Sequence, residues 1–322
     1  MMRFILSRIG FGALVLFMLS IFIFVLFYVT PSDPARIIAG DKATEALMDQ
    51  IRTNLGLDKP IWEQYLIFIG NLLQGDLGYS YRSSLPVADL VLARIPATLS
   101  LVLGAVVVWL AIGIPIGIAS AKRPGSVRDR LGQGFALVGI SFPTFVLGML
   151  ALYTLYFLPT RFGFTLFPPS GYVPFTQDPL SWAWHLVLPW VTLALVTAAV
   201  YARLTRGQML DVLSQDYVRT ARAKGLTERR VVYVHAFRSA MPPLVTQLGI
   251  DIGLLLGGVI VIEQVFGLQG VGALAVTSVA MQDRPVVIAI VLLGGLFVVL
   301  SNLIVDMFYA LLDSRVRTRA AR

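Results

Sequence analysis

Few residues of this chain are equipped for chemistry, and their types narrow what it does. None of its 322 residues is cysteine, so a disulfide framework, a thiolate nucleophile and a cysteine-ligated metal are excluded. The two histidines, His185 and His235, stand far apart, and no H-E-x-x-H spacing occurs, which removes the zinc-hydrolase pattern. No lysine follows a glycine, so the Walker A phosphate loop is absent as well. What remains is a set of polar side chains inside strongly apolar stretches: Gln247 and Asp251 in one, Ser301, Asn302 and Asp306 in another. An Asp at the centre of a membrane helix costs about 2.5–3.5 kcal/mol on insertion scales, so such groups face a protein interior or a cavity. Asp251 has two readings. It is a carboxylate on a solute pathway, placed to meet an ammonium group, or a structural hydrogen bond to a neighbouring helix. Gln247, Asp251 and Asn302 are the candidate pathway residues, and Asp306, near the end of its stretch, has a structural reading.

The elements that hold these groups are apolar and helical. The chain is 57% hydrophobic and 14% charged, against about 25% charged in ordinary soluble domains. With a mean hydropathy of +0.79, the expected class is an all-α polytopic membrane protein. Six stretches are long enough to cross a bilayer core of about 30 Å. They cover residues 9–28, 97–120, 135–158 (with Pro143 as an internal kink), 185–202, 244–265 and 286–311. The first is charge-free and lacks a good cleavage site, so it reads as a retained transmembrane helix. Gly253 and Gly257 form a G-x-x-x-G set on the fifth span, a spacing that lets helices pack closely.

Residues 31–96 form a polar insertion between the first and second spans. Ala43, Leu47, Ile51 and Leu55 recur there at helical spacing. Asp58-Lys59-Pro60 opens an amphipathic stretch carrying Trp62, Tyr65, Leu66, Ile69 and Leu73, and Gly75-Asp76-Leu77-Gly78 makes a turn. The domain reading is therefore a terminus and first span over 1–30, a helical insertion over 31–96, a five-helix core over 97–312 that includes a polar loop at 203–243, and a basic tail over 313–322.

The net charge of +8 is a topology signal. Arg3, Arg8, Lys122, Arg123, Arg128, Arg130, the bases from Arg203 to Arg238 and the tail arginines all lie on one side of a six-span arrangement. The loops of the opposite side hold only Arg161 and Arg284, apart from the long 31–96 region. The positive-inside rule places both termini and the 203–241 loop in the cytoplasm. Nucleic acid is not needed as a partner to explain the charge.

The 214–243 stretch is the longest polar interval in the second half of the chain. Ser214 is read as the cap of a short helix, with Asp216 in its first turn and Arg222 and Lys224 in its last. Gly225 supplies the left-handed residue that ends it. Thr227 is read as the cap of a second helix, with Glu228 in its first turn, and Met241-Pro242-Pro243 is expected to close it. Ala221, Ala223 and Gly225 are small enough for another protein to approach the backbone.

Ala221-Arg222-Ala223-Lys224-Gly225-Leu226, preceded by Asp216-Tyr217, resembles the EAA-type loop of ABC importer permeases in the variant of the dipeptide/oligopeptide family. Two departures from the generic loop, Arg219 in place of its glutamate and prolines further from the glycine, also occur in that branch. Similar patterns lie at Leu55–Pro60, Gly75–Gly78, Glu263–Gly267, Asp283-Arg284-Pro285 and Asn302–Asp306, so the resemblance runs through the whole chain. Gln269 and Ser314 replace prolines usual in the family.

The resemblance implies the type I ABC importer permease fold and import of short peptides; nickel, a saccharide or glutathione are the alternative cargoes. It implies a second homologous permease, two cytoplasmic ATPase subunits holding ATP and magnesium, an external solute-binding protein and no cofactor on this chain. It assigns ATPase coupling to Asp216, Arg219, Ala221, Arg222, Ala223, Lys224, Gly225 and Glu228. The location implied is the bacterial inner membrane. A secondary transporter would rest on Asp251 alone. An intramembrane hydrolase would need a nucleophile beside a base, which neither histidine's position provides.

Overall fold

The computed structural model describes residues 2–29, 34–39, 44–54 and 56–312. The basic tail, Ala43 and Leu55 lie outside them. The described residues are helical with no strand, apart from one antiparallel bridge between Tyr79 and Pro86. They fall into two compact units, one of residues 2–96 with 270–303, the other of 97–269 with 304–312.

In the first unit, α1 (Met2–Phe24) runs on through a π-helical turn at Val25–Val29. The polar insertion supplies α2 (Pro34–Ala39), α3 (Glu45–Asn54), α4 (Ile61–Leu73) and α5 (Val87–Leu92). Aromatic contacts dock α4 on α1: Tyr65 meets the Phe24 ring edge-on at 5.2 Å, and its hydroxyl lies 3.0 Å from Ser20 Oγ. The expected turn forms, with Gly75 and Gly78 both at positive φ. Downstream, α14 (Val271–Ala280) precedes α15 (Arg284–Leu312). Val87 and Val91 of α5 pack on Val286 and Ala289 of α15. The buried Asp283 carboxylate accepts from Ser80 Oγ and from Tyr81 N at 3.0 Å, which ties the insertion to the start of α15.

The second unit is built on α6 (Ile95–Lys122), α10 (Pro179–Leu213) and α13 (Phe237–Val265). Leu101, Ala105 and Trp109 of α6, Leu186, Ala194, Ala198 and Tyr201 of α10, and Leu255, Val259 and Ile262 of α13 share one core. Glycine lets two of these backbones touch: a Cβ on Gly113 would lie 2.7 Å from the Ala198 carbonyl oxygen. At the other end of α6, Thr98 Oγ1 donates to the fully buried Glu263 at 2.6 Å, fixing the end of α13.

Among the described residues, four helices are long and apolar enough to cross a membrane: Leu6–Phe27, Val87–Lys122, Pro179–Leu213 and Arg284–Met307. A fifth crossing needs α7 (Val127–Ser141) together with the Thr144–Arg161 segment, which comprises α8 (Thr144–Ala151), a π-helical stretch and α9 (Leu158–Arg161). At 29 residues, α13 has the length for the remaining one.

Three sequence expectations change. The kink at Pro143 is a 97° break between two helices. Pro143 cannot donate to the ladder, and it forces the preceding Phe142 out of the helical region, to φ −102° and ψ 132°. The 185–202 span is part of a 35-residue helix, about 52 Å long. Its apolarity fades after Ala202, but Thr205 and Met209 remain buried, so packing carries the helix on. Finally, Met241-Pro242-Pro243 closes nothing: Glu228 to Val265 is continuous helix through a π-helical stretch at Val231–Ala236. Val232, Ala236 and Ala240 pack there against Ile118, Ala121 and Met209, and that burial outweighs the lost proline hydrogen bonds.

Candidate functional site

The polar interval folds as a compact unit at the end of α10. After Leu213 the chain turns at Ser214 and enters α11 (Asp216–Ala223). Ser214 closes α10, and its hydroxyl donates to the Asp211 carbonyl at 2.8 Å; it does not cap α11. Gln215 occupies that N-cap without a side-chain bond, because α10 itself extends to within two residues of α11. Thr227 takes the extended cap conformation before α12 (Glu228–Arg230), also without a side-chain bond.

The inner face of this unit is small and apolar. Val218 and Ala221 of α11 pack on Val231, with Val212, Leu213 and Leu226 around them. Ala221 is only 8% exposed, so its small size serves internal packing, and the open backbone of α11 lies at Ala223. The outer face carries Asp216, Tyr217, Arg219, Arg222, Ala223 and Lys224, all exposed. Gly225 has φ +78°, as its place at the helix end requires, and a Cβ there would meet nothing within 4 Å. Space therefore allows a side chain at 225, and backbone strain forbids it.

One ion pair bridges the turn. Arg222 donates through Nε to Glu228 Oε2 at 3.1 Å and through Nη2 to Oε1 at 2.9 Å. The guanidinium holds the Glu228 carboxyl below its ordinary range. Both side chains are exposed, so the pair orients more than it stabilises; such surface pairs are worth about 0–1 kcal/mol. Arg219 and Asp216 approach only to 3.8 Å.

The helix that carries this unit, α10, is tied to α7 by a buried pair. Asp129 in the first turn of α7 is 2% exposed at its side chain. It accepts from Arg206 Nε at 2.6 Å and Nη2 at 3.0 Å, from Gly125 N at 2.9 Å and from Gln133 Nε2 at 3.1 Å. Arg206 lies on α10, two turns before Leu213. The sequence held one local signal, Ser126 three residues before Asp129, and Ser126 does cap α7 by accepting from Asp129 N.

Two of the candidate pathway residues, Gln247 and Asp251, meet. Gln247 Nε2 donates to Asp251 Oδ1 at 2.8 Å within α13. The second oxygen, Oδ2, is buried, as are Tyr201 OH, Trp109 Nε1 and Thr205 Oγ1, and no hydrogen bond of good geometry reaches any of the four. The Tyr201 hydroxyl is the neighbour of the Asp251 carboxylate, and the Trp109 ring centroid lies 6.1 Å from that of Tyr201. Polar groups buried in an apolar core are costly unless paired, and α10 and α13 bring the Tyr201 hydroxyl and the Asp251 carboxylate together here. Trp109 and Tyr201 escaped the sequence reading because both are ordinary core residues. Asn302 belongs to the other compact unit, where it is exposed on α15. His185 is engaged by its own helix, with Nδ1 2.7 Å from the Ser181 carbonyl oxygen. No cluster of three or more metal-ligating side chains occurs among the described residues.

Comparison with known proteins agrees with this architecture. Residues 113–318 match the family described as binding-protein-dependent transport system inner membrane component, and residues 1–102 match the corresponding N-terminal family. Similar relatives include proteins named glutathione transport system permease protein GsiC from Escherichia coli (strain K12) and Shigella flexneri serotype 5b (strain 8401). Each is 43% identical over 302 residues, which cover 94% of this chain and 94% of the relative.

Proposed function

The chain belongs to the family of binding-protein-dependent transport system inner membrane components, and from that membership we propose how it works. It is a permease subunit of an ABC importer. In our reading it pairs with a second, homologous permease around a shared pathway, receives solute from an external binding protein, and is driven by two ATPase subunits that carry the ATP and magnesium. The chain itself binds no cofactor. Its cargo is a short peptide, the class to which glutathione, named for its relatives, also belongs as a tripeptide.

The observation that carries this reading is the α11–Gly225–α12 unit, whose basic outer face, open at Ala223, stands at the end of a 35-residue helix. A bilayer core of about 30 Å accounts for little more than half the length of such a helix. The remainder sets the unit outside the membrane, where an ATPase surface can push on it. Closing of the ATPase dimer would move α11, and α10 and α13 would transmit the movement to the polar centre at Asp251. The test is ATP hydrolysis by the reconstituted complex, which loaded binding protein should stimulate. Hydrolysis indifferent to loaded binding protein would refute the coupling.

Orientation follows from the charge asymmetry. In intact cells Ser170→Cys should react with an impermeant thiol reagent and Ser214→Cys should not, against a background free of native thiols. The reverse pattern would overturn the cytoplasmic placement of α11.

Asp251 is proposed as a pathway residue, because its carboxylate is buried in a protein interior with only Gln247 donating to it in good geometry. Asp251→Asn should lower uptake of peptides with a free amino terminus while assembly is retained. Loss of assembly, or unchanged uptake, would assign Asp251 a purely structural part.

A further inference from the structure

We propose that the groove between α7 and α10 binds an anionic phospholipid of the cytoplasmic leaflet, an assignment that rests on the orientation proposed above. The groove has a volume of about 440 Å³ and is lined by Gly134, Ala136, Leu137 and Ile140 of α7 and by Ala202 and Arg203 of α10, among others. Its walls come mainly from small and aliphatic residues, and Leu137 is 72% exposed. Gly134 opens it: a Cβ at that position would meet nothing within 4 Å.

The groove has a polar end and an apolar end. Asp129 pairs with Arg206, and Gly139, ten residues further along α7, packs against Ala199 of α10. The two helices are therefore antiparallel, with the charged residues at the loop end and Leu137, Ile140 and Ala199 towards the membrane interior. A phospholipid has the same order, a charged head followed by an acyl chain. A free phosphate ion would leave the aliphatic walls unused.

The charge balance selects an anion. Arg206 is neutralised by Asp129. Arg203, which lines the groove, is exposed and takes part in no ion pair or hydrogen bond. One uncommitted guanidinium thus lines the groove, and its planar fork suits phosphate oxygens.

The intact complex, reconstituted in nanodiscs of equal phosphatidylglycerol and phosphatidylcholine and examined by native mass spectrometry, tests this. Wild type should retain phosphatidylglycerol over phosphatidylcholine by roughly fivefold, the preference one arginine supplies at a membrane surface. Arg203→Gln should bring the ratio close to one, and Gly134→Leu should abolish retention of both lipids while the complex still assembles. Arg161→Gln, on the opposite side, should retain the wild-type ratio. Equal retention of the two lipids by wild type, or an unchanged ratio in Arg203→Gln, would overturn the proposal. So would efficient cross-linking of Leu137→Cys to the second permease, which would make the groove a protein interface. Lipid retention is read without transport, and thiol labelling at position 214 reports orientation separately, so failure of either reading is seen by itself.

Discussion

The Gly225→Val substitution is expected to reduce uptake to background while the permease still inserts and still receives its loaded binding protein. Gly225 sits at φ +78°, and a residue with a Cβ pays roughly 1–2 kcal/mol to adopt that conformation. Valine, branched at Cβ, is among the least tolerant. No neighbour would clash, so the strain has one outlet, which is rotation of the backbone between α11 and α12. The Arg222–Glu228 pair spans that turn but is too exposed to resist it. α11 would then present its outer face at the wrong angle. Ala223→Trp, on the exposed side of α11, should reach the same result by holding an ATPase surface away, without altering the turn. Both variants should lose stimulation of ATP hydrolysis by loaded binding protein and retain less ATPase in a pull-down. Wild-type stimulation and pull-down in both would show that α11 and its turn are not the coupling element.

That turn was legible in the sequence because its information is local. A glycine after a small-residue helix, followed by Thr227-Glu228, specifies helix, left-handed turn and helix in about a dozen residues, and each residue supports the same result. Gln247 and Asp251 stood out as polar groups in an apolar stretch, and their four-residue spacing, which the sequence reading did not use, brings them side by side. What escaped depended on residues distant in sequence. The outer part of α10 is polar by composition and helical because Thr205 and Met209 are buried. Pro242 and Pro243 mark a stop in most contexts, yet burial around Ala236 and Ala240 carries the helix past them. At Pro143 the error ran the other way: an apolar stretch long enough to span was read as one kinked helix, and Phe142 leaves the helix altogether. Ala221 had the right size for docking, but the face it occupies is decided by Val231, ten residues on. Arg206 was read as one of the bases that set topology and Asp129 was passed over in a basic loop, because nothing in either segment announces a partner 77 residues away.

That buried pair carries the second large effect. Asp129→Ala is expected to destabilise the second unit by about 3 kcal/mol, the lower range for breaking a buried pair by removing one partner. The lower range applies because the Arg206 side chain is 25% exposed and can turn partly to water, whereas Asp129 at 2% cannot. The loss has three sources: Arg206 without its counter-charge, Gly125 N–H without its acceptor, and Gln133 released from α7. Arg206→Met should cost more, since it strands the carboxylate that has no access to solvent. The double substitution Asp129→Leu with Arg206→Met should recover much of the loss, because two apolar side chains impose no desolvation cost. Unfolding midpoints in a denaturing-detergent titration, compared across wild type, Asp129→Leu, Arg206→Met and the double variant, measure the coupling. Transport should fall further than stability in Asp129→Ala, since Arg206 lies two turns from the end of the helix that carries α11. With the pair gone, α10 has lost its charged tie to α7 there, and a push on α11 would bend its outer turns before it reached the membrane. Equal midpoints in wild type and Asp129→Ala, or single losses that simply add in the double variant, would remove the pair from both roles.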